Sequence, residues 1–332
     1  MKIALVGATG VVGETMLKVM EERGIRPAAV GFFASRQRTA AVSFYGEMHD
    51  VGVANDAILS GFDVVLFAGG EDASERFVPA LLAANRTVID NSATFRLREG
   101  VPLVVPEINA SSIRPTDRLF PVANCTAIVL CMALAPIARL AGLRSVVVST
   151  YQAASGAGRA GLDELFAGER AAVHGEPDPT PTIFAAPLAH NVLPQIGSFG
   201  ADGWTGEESK VRDETRAILG LPNLDLVATC VRVPVRTAHS ESVVLTTERP
   251  TTVGDIATSL LESPGVVYHE TGIVTPREVE GTDDVHVARL RALDASGTRF
   301  ALWAVGDQLR KGAATNAVQI LELMLSRGGP RG

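Results

Sequence analysis

The first twenty-odd residues constrain this chain more than any other stretch. An apolar run, Lys2-Ile3-Ala4-Leu5-Val6, leads straight into Gly7-Ala8-Thr9-Gly10-Val11-Val12-Gly13, and from Gly13 to Arg23 the apolar Met16, Leu17 and Met20 recur on one helical face. Strand, glycine turn and helix in that order form the unit that accepts a dinucleotide. The glycines let the backbone turn tightly and approach a pyrophosphate, and the helix start supplies N–H donors. The bland alternative is a glycine-rich turn without a ligand. The apolar start ends too soon for a secretory h-region, which favours a first β-strand.

Apolar runs continue to alternate with helical patterns. Strands are expected at 28–33, 64–67 and 87–90, with a helix at 74–84, which implies a parallel sheet. After residue 125 the texture changes: a helix at 126–140 leads into a strand at 145–150, followed by strands at 226–235, 242–247 and 284–292. Strands with few intervening helices suggest an antiparallel or mixed sheet. A last helical pattern at 311–325 is long enough to pack back on the first domain. With 332 residues, two domains are expected. The reading is an α/β chain: a Rossmann-type dinucleotide-binding domain from residues 1–125 with 309–330, and an α+β catalytic and dimerisation domain from 126–308. The proline-rich stretch from Gly175 to Thr182 reads as an exposed loop of unassigned role.

Where an NAD site usually holds a carboxylate for the ribose 2′-OH, this chain reads Phe33-Ala34-Ser35-Arg36-Gln37-Arg38. Two guanidinium groups suit a 2′-phosphate, so NADP is favoured; the alternative is two solvated loop charges. Three cysteines are too few for a disulfide scaffold. Cys125, in Asn124-Cys125-Thr126, sits where a loop meets a helix, whose N-terminus favours a thiolate. Cys131 lies among apolar neighbours, and Cys230 within a strand. His239, in the segment Arg236-Thr-Ala-His-Ser-Glu241 after the strand ending at Val235, can exchange a proton near neutral pH. Spacing alone does not pair it with Cys125.

A net charge of -7 argues against a nucleic-acid partner. No apolar stretch approaches the roughly 20 residues that span a bilayer. A cytoplasmic location with reduced thiols and no metal is expected.

At this point the residues resemble the aspartate-semialdehyde dehydrogenase family over nearly the whole chain. The resemblance is carried by GATGVVG (7–13), FAGG (67–70), IDNSATFR (89–96), VPLVVPEIN (101–109), ANCTAI (123–128), STYQAASGAG (149–158), PLAHNVLPQIGSF (187–199), EESKVRDETRAIL (207–219), ATCVRVPVRTAHSESV (228–243) and DQLRKGAATNAVQI (307–320). It departs from the family in lacking a proline directly before Asn124 and in its shuffled Ser35–Arg38 stretch.

The resemblance implies NADPH-dependent reductive dephosphorylation of L-aspartyl 4-phosphate to L-aspartate 4-semialdehyde, in the biosynthesis of lysine, threonine, methionine and isoleucine. Cys125 would be the acylated nucleophile, His239 the acid/base, and Gln152 would orient the substrate. Arg232 would hold the α-carboxylate and Glu207 the α-ammonium, with Lys210, Arg96 and Asn124 at the phosphate. Gly7, Thr9, Gly10, Val11, Val12, Gly13, Ser35, Arg36, Arg38 and Gly69 would serve the cofactor, with Ser155, Gly156 and Asn316 near its nicotinamide. A homodimer is implied. A related reductase of N-acetyl-glutamyl phosphate usually shows Gly-Cys-Tyr at its nucleophile, against Asn-Cys-Thr here, and its acetylated substrate has no ammonium for Glu207. A non-catalytic paralogue typically loses the cysteine or histidine, and both are present.

Overall fold

The computed structural model describes residues 1–36 and 39–326. The chain divides into two compact units: Met1–Ala123 with the chain from Ala313, and Asn124–Gly312. The division expected from sequence left Cys125 in the first unit. It falls instead before Asn124, because Asn124 caps the helix that Cys125 begins, and that helix packs within the second unit.

The first unit contains β1 (Lys2–Val6), α1 (Val11–Glu22), β2 (Ala29–Ala34), β3 (Ala41–Phe44), β4 (Glu47–Val53), α2 (Asp56–Leu59), β5 (Val64–Phe67), α3 (Glu71–Ala83), β6 (Thr87–Asp90), α4 (Pro106–Asn109) and β7 (Leu119–Pro121). Its sheet runs β3-β4-β2-β1-β5-β6-β7 and is parallel except for the antiparallel β3–β4 pair. Val64, Val65, Leu66 and Phe67 of β5 are all fully buried, as expected of a parallel strand covered on both faces. The sequence reading missed the β3–β4 hairpin. Its turn is Tyr45-Gly46, both with positive φ (51° and 78°), and the side chains of β4 are mostly exposed, with polar and apolar residues mixed.

The second unit contains α5 (Cys125–Ala141), β8 (Ser145–Gln152), α6 (Gly158–His174), α7 (Gly206–Leu219), β9 (Asp225–Arg232), β10 (His239–Thr246), α8 (Val253–Leu261), β11 (Val266–His269), α9 (Pro276–Val279), β12 (Val285–Ala292) and β13 (Arg299–Gly306); a final helix, α10 (Thr315–Ser326), returns to the first unit. The sheet is mixed, in the order β11-β12-β13-β10-β8-β9. β10 pairs antiparallel with β8 and β13, whereas β8 and β9 run parallel.

Helix α5 is the centre of this unit. Thirteen of its 17 residues are buried, so it is apolar all round and enclosed by the sheet, α7 and α8. Ile128, Leu130, Leu134 and Ile137 are fully buried, each contributing about 1.5–3 kcal/mol by apolar burial. That burial makes the N-terminus of α5 a rigid mounting. The strand expected from Ser242 begins earlier, as β10 at His239, and His239 is fully buried.

Candidate active site

In the first unit the glycine turn has the geometry a dinucleotide requires. Gly7 has φ +88°, and a Cβ there would lie 2.8 Å from the backbone N of Gly69. A Cβ on Gly13 would lie 2.3 Å from the Gly7 carbonyl, so only glycine lets α1 approach β1 this closely. Thr9 completes the turn, and Val11 and Val12 open α1. Neither Gly10, at the start of α1, nor Gly70, at the start of α3, supplies a side-chain cap. Two helix starts therefore present their first-turn N–H groups beside Gly69, an arrangement that fits a pyrophosphate. Ser35 and Arg36 follow β2 and are exposed; Arg38 lies outside the described residues.

Arg96 is held in this unit by bonds from Nε to the Val122 carbonyl (2.7 Å) and from Nη2 to the Asn91 carbonyl (2.9 Å). The loop that carries it is built on buried Asp90, whose carboxylate accepts from Ser74 Oγ, Ser92 N and Ser92 Oγ. Asn316 of α10 is buried, and its Nδ2 donates to the Val104 carbonyl at 2.9 Å.

In the second unit, Asn124 is the N-cap of α5: its Oδ1 accepts from Thr126 N (3.0 Å) and Ala127 N (3.1 Å). This fixes Cys125 at the first helical position, half-buried, where the helix dipole favours a thiolate. Gly312 packs on it, because a Cβ there would come within 2.9 Å of the Cys125 Cβ. Burial pushes the thiols of Cys131 and Cys230 well up and leaves both protonated. The capping bonds occupy the Thr126 and Ala127 N–H groups, and Asn124 Nδ2 donates to Glu207 Oε1 at 2.9 Å.

Glu207, on the first turn of α7, collects this network. Its Oε1 also accepts from Gln152 Nε2 at 3.0 Å, Gln152 Oε1 accepts from Thr150 Oγ1 at 3.0 Å, and Lys210 Nζ lies 4.0 Å from Glu207 Oε2. Arg232, the last residue of β9, is buried with Nη1 bonded to the Ala153 carbonyl at 2.7 Å. Burial pulls its pKa below the ordinary arginine value, while Glu207 and Cys125 lie close enough to oppose that shift electrostatically.

His239 Nδ1 accepts from Ala153 N at 3.1 Å, so the neutral ring carries its proton on Nε2. Nε2 is buried with no hydrogen-bond partner among the described residues. Burial, with help from the nearby Arg232 charge, pushes the His239 pKa down to about 3. Gly156 lies between the two: a Cβ there would be 2.7 Å from Arg232 Nη1 and 3.3 Å from His239 Nε2. The structure thus gathers Asn124, Gln152, Glu207 and Lys210 in one network, and Gly156, Arg232 and His239 in another, joined through the electrostatic reach of Arg232.

Three residues of this site were not singled out from sequence. Glu214 accepts the Asn124 N–H at 2.5 Å. Gln308 accepts from Ala238 N at 2.7 Å and donates to Ser155 Oγ, thereby holding Ala238 at φ 72° directly before His239. Gly312 was unremarkable in a run of small residues. A buried acid in an otherwise charged helical segment such as 207–219 carries no distinguishing signal along the chain.

Two sequence families match the chain: semialdehyde dehydrogenase, NAD binding domain, over residues 2–116, and semialdehyde dehydrogenase, dimerisation domain, over residues 134–311. Curated relatives include the aspartate-semialdehyde dehydrogenases of Aquifex aeolicus, 38% identical over 98% of each chain, and Bacillus subtilis, 38% identical over 96% of each. Among solved structures, aspartate semialdehyde dehydrogenase II from Vibrio cholerae complexed with ASA superposes with a TM-score of 0.94 at 35% identity, covering 98% of both chains.

Proposed function

This chain belongs to the aspartate-semialdehyde dehydrogenase family, and from that premise we propose that it reduces L-aspartyl 4-phosphate to L-aspartate 4-semialdehyde, reversibly, through a thioester on Cys125. The observation that carries the reading is the electrostatic grouping at Arg232: a buried guanidinium within reach of a helix-start thiol, a buried carboxylate and a buried imidazole. These groups complement the carboxylate, ammonium and reacting acyl group of the substrate.

The Cys125 thiolate, favoured by the start of α5 and by the Arg232 charge, attacks the acyl carbonyl, and phosphate leaves with the electron pair of its C–O bond. The Gly7–Gly13 turn would hold a nicotinamide dinucleotide, whose chemistry would be hydride donation at the thioester level. His239 offers its Nε2 proton to the carbonyl oxygen as negative charge develops there. Collapse of the tetrahedral adduct returns that proton to His239, releases the aldehyde and frees Cys125 as the thiolate. A substrate carboxylate on Arg232 offsets the charge that helps depress the His239 pKa, so substrate binding itself makes the imidazole a better proton carrier.

Glu207 takes the substrate ammonium and Arg232 the α-carboxylate, while Gln152 and Asn124 fix Glu207 and the start of α5. Lys210 and Arg96 are assigned to the phosphate, Ser155, Gly156 and Asn316 to the nicotinamide end of the cofactor. NADP over NAD rests on Arg36 and Arg38 and on the lack of a carboxylate between Phe33 and Arg38. We assign the chain to the cytoplasm; among the described residues no helix is long and apolar enough to cross a membrane.

A homodimer is supported by the sheet of the second unit. Val147 and Tyr151 of β8 and Val227 of β9 share one face and are 52%, 38% and 45% exposed, while Val146, Val148 and Thr150 on the opposite face are buried. An apolar sheet face of this kind suits a second copy of the chain.

The test is phosphate-dependent oxidation of aspartate semialdehyde, run with NADP and with NAD, beside N-acetylglutamate semialdehyde. Turnover of the first aldehyde with NADP is expected; turnover of only the second would overturn the substrate assignment.

A further inference from the structure

The loop after α6 had no role that its sequence disclosed. One carboxylate fixes its far end. Glu164 Oε2 accepts from Thr182 N (2.7 Å), Ile183 N (2.8 Å) and Thr182 Oγ1 (3.1 Å), and Oε1 accepts from Phe184 N at 3.2 Å. Successive backbone N–H groups converging on one anion form a nest. Burial pushes the Glu164 pKa up, but the bonds from Thr182, Ile183 and Phe184 outweigh it and hold the carboxyl below its ordinary value. The clamp is therefore ionised, and closed, at neutral pH.

The clamp sets Phe184. Its ring packs with Leu162 and Ala186 against the cluster of Ala154, Leu165, Leu188 and Leu193. Its Cζ is close to Gly161, where a Cβ would lie 3.1 Å from it and 2.7 Å from the Ala154 carbonyl and the Ala157 Cβ. The ring centroid is 5.7 Å from Arg232 Cζ. Ile183, Phe184, Gln195 and Arg232 together line a cavity of about 420 Å³. Arg232 thus meets the Ala153 carbonyl at Nη1 and an aromatic ring nearby, and its main chain is fixed by paired bonds with Leu193 (2.8 and 2.9 Å). A guanidinium held by an aromatic ring loses rotational freedom and presents coplanar donors, which a carboxylate needs for a two-point contact.

We propose that Phe184 is a positioning residue for Arg232 and that the Glu164 clamp, by placing it, sets the enzyme's affinity for substrates bearing an α-carboxylate. This rests on the function proposed above and adds a role for the loop. The selectivity acts on substrate capture, because the ring touches the group that binds the carboxylate and no reacting atom is assigned to it.

The test uses the full-length chain with NADP in the phosphate-dependent direction. Phe184→Leu keeps an apolar side chain and removes the aromatic face. It should raise KM for aspartate semialdehyde about tenfold, the size that a desolvated cation–π contact supports. kcat should stay within about twofold, and KM for phosphate, which Arg232 does not bind, should not change. Phe184→Tyr should restore the semialdehyde KM. Glu164→Gln, which keeps an acceptor but loses the charge, should raise it about threefold, and it serves as the second probe if Phe184→Leu does not fold. An unchanged semialdehyde KM in these variants, a parallel rise in the phosphate KM, or a loss confined to kcat overturns the proposal. A wild-type chain inactive on aspartate semialdehyde refutes the function itself and the proposal with it, which distinguishes the two failures.

Discussion

Adding a single methyl group at Gly156 probes the geometry around His239 more sharply than removing the histidine. Gly156 has an ordinary backbone conformation, being absent from the positive-φ glycines, so alanine is tolerated by the main chain. The fold even gains about 0.4–1 kcal/mol from the stiffer unfolded chain. The cost is steric. The new Cβ would stand 2.7 Å from Arg232 Nη1, 3.2 Å from His239 Cε1 and 3.3 Å from His239 Nε2. Ordinary contact begins at 3.4 Å, so the guanidinium must retreat by about 0.7 Å (3.4 less 2.7) while its Nη1 is tied to the Ala153 carbonyl and its main chain to Leu193.

A misplacement on the order of 1 Å costs about 10²-fold in rate, equivalent to about 2.7 kcal/mol of transition-state stabilisation. Gly156→Ala should therefore lower kcat/KM about a hundredfold in the phosphate-dependent assay. Overpacking of about 1–3 kcal/mol, partly offset by the backbone gain, should lower Tm by less than about 8 °C. A folded variant whose kcat/KM stays within twofold of wild type would refute the claim that Arg232 and His239 work at this spot.

Other outcomes follow from the same structure. His239→Asn should reduce turnover about 10²- to 10⁴-fold, and an unchanged rate removes the imidazole from the mechanism. His239 titrates near 3 when folded, against 6.5 ordinarily, so the unfolded chain binds a proton that the folded chain does not. Stability present above pH 6.5 should then be lost as pH falls from about 6.5 towards 3, by up to about 1.4 kcal/mol per pH unit from this group; urea midpoints against pH should flatten in the variant. Arg36→Ala should weaken NADP about tenfold and leave NAD unchanged, and equal losses for both would detach Arg36 from the 2′-phosphate. Val147→Glu should shift sedimentation towards monomer if the open sheet face joins two copies, and an unchanged species would move the interface elsewhere.

How much was legible in the sequence depended on how local each cause was. The Gly7–Gly13 turn could be read because its glycines are contiguous with β1 and α1 and the demand on Gly13 comes from Gly7 and Ala8, although Gly7 itself faces distant Gly69. The helix at Cys125 could be read because its cap and its apolar run are contiguous. The β3–β4 hairpin could not, since its Tyr45-Gly46 turn lacks an asparagine or aspartate signal and β4, Glu47-Met-His-Asp-Val-Gly-Val53, shows no clean alternation. The strand at Ser242 could be read, but the burial of His239 at the start of β10 arises from pairing with β13 and β8, which local pattern does not encode. Glu214, Gln308 and Phe184 act across 90, 70 and 48 residues of chain respectively, and contacts over such separations leave no periodic trace.

The central claim is chemical: an acyl group passes through Cys125. Enzyme mixed with aspartate semialdehyde and NADP in the absence of phosphate, then quenched and digested, reports on it directly. A burst of about one NADPH per site is expected, with one aspartyl group attached to the peptide that holds Cys125. No burst, or an adduct confined to peptides holding Cys131 or Cys230, would contradict it.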